Sequence, residues 1–300
     1  MTDHIRIVEV GPRDGLQNEQ NQLTVEQRVE FINALSKSGL QKVEAGSFVS
    51  PKWVPQMQGT GQVLDQINKN DGTDYPVLIP NERGLDEAIK HPLSEIAVFT
   101  AASNTFTQKN INSSIEESYE MFKPIFEYAK NNDIPIRGYV SCAIACPYEG
   151  DISPEQVLKV SQKLLEMGAY EISIGDTIGV GTPNRVKQLL QTLKSEIATE
   201  KLAVHFHDTF GMAIANILAA LEEQIHIIDS ASAGLGGCPY ASSHGAQASG
   251  NVATEDVLYL LEGLGLQTGV DRHMVAKAGQ KVCDIVGKQN QSKTARAVLD

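Results

Sequence analysis

Short apolar runs alternate with longer amphipathic stretches along almost the whole chain. The runs at residues 5–10 (IRIVEV), 42–46 (KVEAG), 75–80 (YPVLIP), 95–100 (EIAVFT), 136–141 (IRGYVS), 170–175 (YEISIG), 202–206 (LAVHF) and 227–232 (IIDSAS) predict β-strands. The stretches between them carry helical signals. Residues 24–39 start with Thr24 as N-cap, space Val25, Val29, Ile32 and Leu35 on one face, and stop at Gly39. Residues 113–132 follow the same logic. Ser153 before Pro154, and Thr182 before Pro183, put a capping residue ahead of a proline at the first helical position.

The count is eight strand–helix units before about residue 263. Eight parallel strands with helices between them predict an α/β fold, a closed (β/α)8 TIM barrel, in preference to an open doubly wound sheet. The run at 75–80 is the weakest of the strands. No Gly/Ser or Pro linker interrupts the pattern, so residues 1–300 read as a single catalytic domain. Its barrel covers about residues 5–263, and further helix follows over about 270–288. The last dozen residues read as frayed.

Composition narrows the function classes. The chain has 300 residues, 25 Lys plus Arg against 37 Asp plus Glu, and a formal net charge of −12. That balance argues against general binding to nucleic acid or anionic membrane. Four cysteines are too few for a disulfide scaffold and point to a reducing compartment. The first residues, MTDHIRIVEV, lack the cationic and apolar segments of an export signal, and no apolar stretch is long enough to span a membrane. The expectation is a cytoplasmic protein with no membrane and no nucleic-acid partner.

In a barrel, chemistry gathers past the C-terminal ends of the strands. Arg13 and Asp14 follow the first predicted strand. Glu44 and Ser47 belong to the second, Tyr139 to the fifth, Asp176 to the end of the sixth, and His205 and His207 to the seventh. A glycine-rich segment with Cys238, then Asn251 and Glu255, follows the eighth. His205 and His207 are two apart on a strand, so both imidazoles face the same side. With Asp14, and an amide oxygen from Asn251, they make a mixed N/O donor set suited to Mg²⁺ or Mn²⁺. The competing reading is a pair of histidines hydrogen-bonded within the barrel. Arg13 is suited to a developing oxyanion, or alternatively to pairing with Asp14 to hold a loop.

Cys238 lies in AGLGGCPY, where glycines free the backbone and a loop thiol can carry a proton to a bound substrate. Cys142 and Cys146 are spaced unlike a redox or zinc pair and read as buried loop thiols, and Cys283 as apolar filler. The glycine clusters match neither a dinucleotide fingerprint nor a P-loop, and no GxSxG elbow is present.

Six stretches carry a resemblance: EVGPRDGLQNE, VEAGSFVSPKWVPQM, RGYVSCAIACPYEG, GDTIGVGTP, HFHDTFGMA, and GLGGCPY followed by SGNVATEDV. In that order they closely resemble the 3-hydroxy-3-methylglutaryl-CoA lyase family, over about residues 5–271. The resemblance implies a TIM barrel of the metal-dependent lyase and Claisen-synthase superfamily. It implies cleavage of 3-hydroxy-3-methylglutaryl-CoA to acetyl-CoA and acetoacetate with Mg²⁺ or Mn²⁺, in leucine breakdown, by a homodimer acting on an acyl-CoA. Carried over by position, the metal ligands fall on Asp14, His205, His207 and Asn251. The catalytic positions fall on Arg13, Glu44, Cys238 and Asp176. Ser47, Tyr139 and Glu255 match positions near the site.

Two departures stand out. The stretch between Cys238 and Asn251 is about four residues longer than the family pattern, which bears on loop closure. Gln20 stands where animal members carry Lys, which weakens any contact there to a CoA phosphate. The alternatives are a lyase for a longer branched substrate such as the isohexenyl compound, a synthase or aldolase acting on a 2-oxo acid, and a noncatalytic binding barrel. The residues around Glu44 and Cys238 weigh against the second, and intact Arg13, Asp14 and histidines against the third.

Overall fold

The computed structural model describes residues 4–237 and 250–299. Its strands are β1 (Arg6–Glu9), β2 (Lys42–Val43), β3 (Gly46–Ser47), β4 (Val77–Leu78), β5 (Ile96–Ala101), β6 (Ile136–Ser141), β7 (Ala145–Cys146), β8 (Gly150–Asp151), β9 (Glu171–Asp176), β10 (Leu202–Phe206) and β11 (Ile227–Ser230). The helices are α1 (Val25–Ser36), α2 (Thr60–Gln66), α3 (Glu82–Ala88), α4 (Asn104–Ile111), α5 (Ile115–Asn131), α6 (Pro154–Met167), α7 (Pro183–Lys194), α8 (Ala213–Glu222), α9 (Thr254–Gly263), α10 (Arg272–Val286) and α11 (Lys293–Val298). Among the described residues no helix is long and apolar enough to cross a membrane.

Nine strands form one parallel sheet in the order β2-β1-β11-β10-β9-β6-β5-β4-β3, and β7 and β8 form a separate antiparallel pair. Every expected strand is present, but the one expected at 42–46 is divided into β2 and β3. These two pieces sit at opposite ends of the curled sheet, although only Glu44 and Ala45 separate them in the chain. Glu44 N–H donates to Glu9 O at 2.9 Å and Ala45 N–H to Pro76 O at 2.8 Å, so the segment serves both neighbours. The regular ladder is interrupted there, which makes a curled, modified TIM-barrel-like sheet where eight uninterrupted strands were expected.

Local chemistry explains the helix starts. Thr24 Oγ1 accepts from Gln27 N–H while Gln27 Oε1 accepts from Thr24 N–H, a full capping box. Ser114 and Glu117 repeat it at α5, and Ser153 Oγ accepts from Gln156 N–H at α6. Thr182 occupies the N-cap position of α7, but its side chain makes no capping bond and Pro183 carries the start alone. Helix α1 ends at Ser36, before Gly39, whose φ of +92° turns the chain next to Gly269. The end of the chain is ordered into helix α11 instead of frayed. Asp256 Oδ1 accepts from Ser292 Oγ and Thr294 N–H, capping α11 against α9.

Alternation along the strands sorts the side chains. Ile136, Ile172, Ile174, Val204, Phe206 and Ile228 belong to the large apolar cluster between sheet and helices. Their neighbours Arg137, Tyr139, Glu171, Ser173, His205 and Asp229 line the other face and are also buried. The sheet interior is therefore charged and hydrogen-bonded, which apolar patterning alone does not reveal.

Candidate active site

The site begins at the end of β1. Residues Gly11–Gly15 form a turn of π-helix, with Leu16 N–H donating to Gly11 O at 2.9 Å and Gly15 N–H to Val10 O at 3.1 Å. Gly11 is required, because a Cβ there would collide with the Glu9 carboxylate. Glu9 Oε1 in turn accepts from Gly11 N–H at 2.8 Å and Ser232 N–H at 2.9 Å, tying this turn to the segment after β11. The wide turn presents consecutive residues, Arg13 and Asp14, at one cleft.

Arg13 Nε donates to Glu44 Oε2 at 2.7 Å and Nη1 to Asp14 Oδ1 at 2.7 Å. Its guanidinium carbon lies 5.3 Å from the Tyr139 ring centre, and Tyr139 donates to Glu44 Oε2 at 3.3 Å. Burial opposes the charge on Arg13, but Glu44 and Asp14 outweigh it, so Arg13 stays a cation. Asp14 has the reverse balance. Burial raises its pKa, while Arg13, both imidazoles and the Asn251 hydrogen bond bring it down to about 2.

Donor atoms of Asp14, His205 and His207 all lie within 4.8 Å of one another. Asn251, which bridges to His207 in the backbone, donates from Nδ2 to Asp14 Oδ2 at 2.8 Å and to Leu235 O at 3.1 Å. Its Oδ1 is buried and has no partner among the described residues. A buried amide oxygen without a donor, next to a carboxylate and two imidazoles, fits a divalent cation. Gly236 lets the chain pass this close, since a Cβ there would stand 2.7 Å from Asn251 Nδ2 and φ is +120°.

The cleft is lined by Arg13, Asp14, Tyr139, His205 and His207, as expected. Leu78, Phe99 and Phe106 add an apolar wall, Thr177 joins them from the end of the sixth predicted strand, and Gln17, Asn18, Asn110 and Ser173 add polar groups that the strand-end reasoning did not pick out. Glu44 stands behind Arg13, fully buried. Three expected residues are turned elsewhere. Ser47 Oγ accepts from Val49 N–H, and the residue borders a neighbouring cavity with Phe48 and Asn81. Asp176 accepts from Val180 N–H at 3.2 Å and Gly181 N–H at 2.7 Å, holding the turn into α7; burial, against these bonds, pushes its pKa up to about 6. Glu255 grips Ala233 N–H with both oxygens, at 2.9 and 3.0 Å, and burial pushes it up to about 8.

Cys238 lies outside the described residues; Gly237, just before it, lines the cleft. Cys142, Cys146 and Cys283 are buried and form no disulfide among the described residues, in keeping with the expectation. Asp229, Arg137 and Glu9 were not anticipated. The only sequence signal for the first two is a charge at the same alternate register as Tyr139 and His205 within otherwise apolar strands.

Comparison with known proteins agrees with this geometry. The family model described as HMGL-like matches residues 4–282. The chain is 51% identical over 295 residues to a Pseudomonas aeruginosa 3-hydroxy-3-isohexenylglutaryl-CoA/hydroxy-methylglutaryl-CoA lyase, covering 98% of this chain and 97% of the relative. It is 53% identical over 297 residues to a Rattus norvegicus cytoplasmic 3-hydroxy-3-methylglutaryl-CoA lyase, covering 99% of this chain and 85% of the relative. The crystal structure of hydroxymethylglutaryl-CoA lyase from Pseudomonas aeruginosa superposes with a TM-score of 0.96 at 50% identity, covering 100% of this chain and 98% of the other.

Proposed function

The chain belongs to the HMGL-like family, and we propose that its cleft cleaves 3-hydroxy-3-methylglutaryl-CoA to acetyl-CoA and acetoacetate, in leucine breakdown. One observation carries the reading: the buried Arg13–Glu44 pair adjoins the Asp14–His205–His207 group in a single cleft. The pair suits a developing enolate, and the group suits a hydroxyl and acyl oxygens that must be gathered before a carbon–carbon bond breaks.

Asp14, His205, His207 and Asn251 would hold Mg²⁺ or Mn²⁺, which when bound supplies Lewis acidity toward the substrate oxygens. Asp14 takes the 3-hydroxyl proton, the C2–C3 bond breaks, and the hydroxyl carbon becomes the ketone of acetoacetate. The electron pair passes to C2 as the thioester enolate, opposite the Arg13 cation. Glu44 and Tyr139 keep the guanidinium plane oriented. Cys238 delivers a proton to C2, and the hydroxyl proton returns to its thiolate, so the reaction is redox-neutral and consumes no water. Asp176 and Glu255 act by holding the turns on either side, and Ser47 by accepting from Val49 N–H where the chain leaves β3.

A second reading has a specific observation behind it, since the Pseudomonas aeruginosa relative acts on the isohexenyl thioester as well. The assay that tests both uses purified protein, chelated and then resupplied with Mg²⁺ or Mn²⁺, on each thioester. Cation-dependent acetoacetate release from the methyl substrate is expected. No turnover with either cation would sink the enzyme assignment, and preference for the isohexenyl substrate would move it to the second reading.

Three further elements belong to the same reading. The curled sheet is taken as a (β/α)8 barrel closed through residues 42–47, supported by the two-sided hydrogen bonding of Glu44 and Ala45. Residues 1–300 are taken as one catalytic domain, supported by the apolar cluster that runs from Ile5 to Val286. The protein is taken as a cytoplasmic homodimer, which light scattering in solution and cell fractionation test.

A further inference from the structure

Asp229 lies on β11 directly across from His205 on β10. Its carboxylate is held from several sides. Oδ1 accepts from Arg137 Nη2 at 2.6 Å, and Oδ2 accepts from Arg137 Nη1 at 2.9 Å and from Ser173 Oγ at 2.7 Å. The same Oδ2 lies 3.2 Å from His205 Nδ1. Arg137 is itself fixed by Nε donating to Glu171 Oε1 at 2.6 Å, and Glu171 pairs with Arg6. Asp229 and Arg137 are each 1% exposed, so neither has room to turn.

Both oxygens of Asp229 accept from the Arg137 guanidinium and Oδ2 also from the Ser173 hydroxyl, so the carboxylate is paired with a cation and serves these neighbours as an acceptor. An ionised carboxylate only accepts hydrogen bonds. A neutral His205 must then carry its proton on Nδ1, which leaves the Nε2 lone pair on the side of Asp14, 3.8 Å away. The bidentate Arg137 fork prevents the carboxylate from rotating to any other arrangement.

We propose that Asp229, locked by Arg137 and Ser173, is a positioning residue that sets the tautomer and orientation of His205 for cation binding. The alternative is a buried Arg–Asp pair that serves folding alone, with His205 a bystander. The two differ at the imidazole. Asp229→Asn keeps the size, but its amide nitrogen takes the place either of Oδ1, facing Arg137 alone, or of Oδ2, facing Arg137, Ser173 and His205. Facing His205, it donates to Nδ1, moves the ring proton to Nε2, and removes the lone pair from the cation site.

The proposal rests on reading Asp14, His205 and His207 as cation ligands, and the test separates the two. Mn²⁺ titration followed by electron paramagnetic resonance is run on wild-type protein and Asp229→Asn, with thermal unfolding as the control for folding. A wild-type protein that takes up no Mn²⁺ overturns the ligand reading itself. In a protein that binds Mn²⁺, Asp229→Asn is expected to weaken affinity about 10–100-fold while remaining folded. Equal affinity in a folded variant whose His205 ring proton has moved to Nε2 overturns the proposal; where the Asn keeps its oxygen toward His205, the wild-type spectra decide. Histidine ¹⁵N spectra of the chelated wild type at mildly alkaline pH, assigned with His205→Gln, form the second arm and need no Asp229 variant to fold. Nδ1–H at His205 upholds the proposal, and Nε2–H overturns it.

Discussion

Arg13 reaches Glu44 through Nε at 2.7 Å and Asp14 through Nη1 at 2.7 Å, so one guanidinium spans the buried carboxylate behind the cleft and the carboxylate at the cation group. A lysine cannot make both contacts, because its ammonium is a single point at the end of a flexible stem. Arg13→Lys is expected to lower kcat about 100–1,000-fold, the cost of one lost oxyanion donor, with little change in KM. Steady-state kinetics decide it; a variant within a few-fold of wild type in kcat would remove Arg13 from the charge-stabilising role.

Asp14 and His207 face the same point from segments just past the ends of β1 and β10. Asp14→Asn and His207→Ala are each expected to weaken Mn²⁺ binding by about 10-fold or more and to lower activity in parallel. Calorimetric titration of Mn²⁺ into each variant checks this. Chelation of the wild type is expected to abolish turnover, and Mg²⁺ or Mn²⁺ to restore it.

Full burial pushes the Glu255 carboxyl up to about 8, far above its ordinary 4.5. Between these values the folded chain keeps a proton that the unfolded chain has released. Its contribution to stability is thus complete at low pH and is lost as pH rises from about 4.5 toward 8. Glu255→Gln keeps an acceptor for Ala233 N–H and removes the titration. Denaturant unfolding is expected to fall less steeply from pH 5 to pH 8 in the variant, by up to a few kcal/mol. Parallel profiles would refute the assignment.

Asp176 accepts two backbone N–H groups, from Val180 and Gly181, in the turn into α7. Asp176→Ala leaves both without that acceptor and is expected to cost about 1–3 kcal/mol of stability. Thr177, next in the chain, lines the cleft and accepts from Cys142 N–H, so activity is expected to fall as well. Urea unfolding and kinetics measure the two effects. Full activity in a destabilised variant would show that the turn does not transmit to the cleft.

Leu78, Phe99 and Tyr139 pack together beside the cleft as an apolar cluster of their own with Ala97. Trimming this wall by Leu78→Ala or Phe99→Ala is expected to shift kcat/KM toward the isohexenyl thioester by about 10-fold or more. Competition between the two thioesters reads the ratio directly, and an unchanged ratio would place the acyl specificity elsewhere.

Much of this architecture was legible without coordinates. Alternating apolar runs located the strands of the parallel sheet but not the short β7–β8 pair, and Thr24, Ser153 and Asn251 stood where their neighbours implied. His205 and His207 had to share a face because strand geometry has a period of two residues. Their nearness to Asp14 followed from all three lying at C-terminal ends of parallel strands. What strand order could not convey was rotation about each side chain. Asp176 and Glu255 sit at the correct end of the sheet, yet backbone N–H groups of Val180, Gly181 and Ala233 draw their carboxylates away from the cleft. The division of the second strand was equally hidden, because it depends on Glu44 and Ala45 bonding to different neighbours.

The chain's own order of residues therefore determined the class of fold, the end of the sheet where chemistry gathers, and the pairing of an Arg–Asp turn with two histidines. Only the tertiary structure decided that Asp229 and Arg137 lie beneath His205, since those residues are far apart in the chain and meet through the curl of the sheet. The physical reason is that periodicity records which face a residue takes, whereas a hydrogen bond between strands depends on register, and register is set by the packing of the whole sheet.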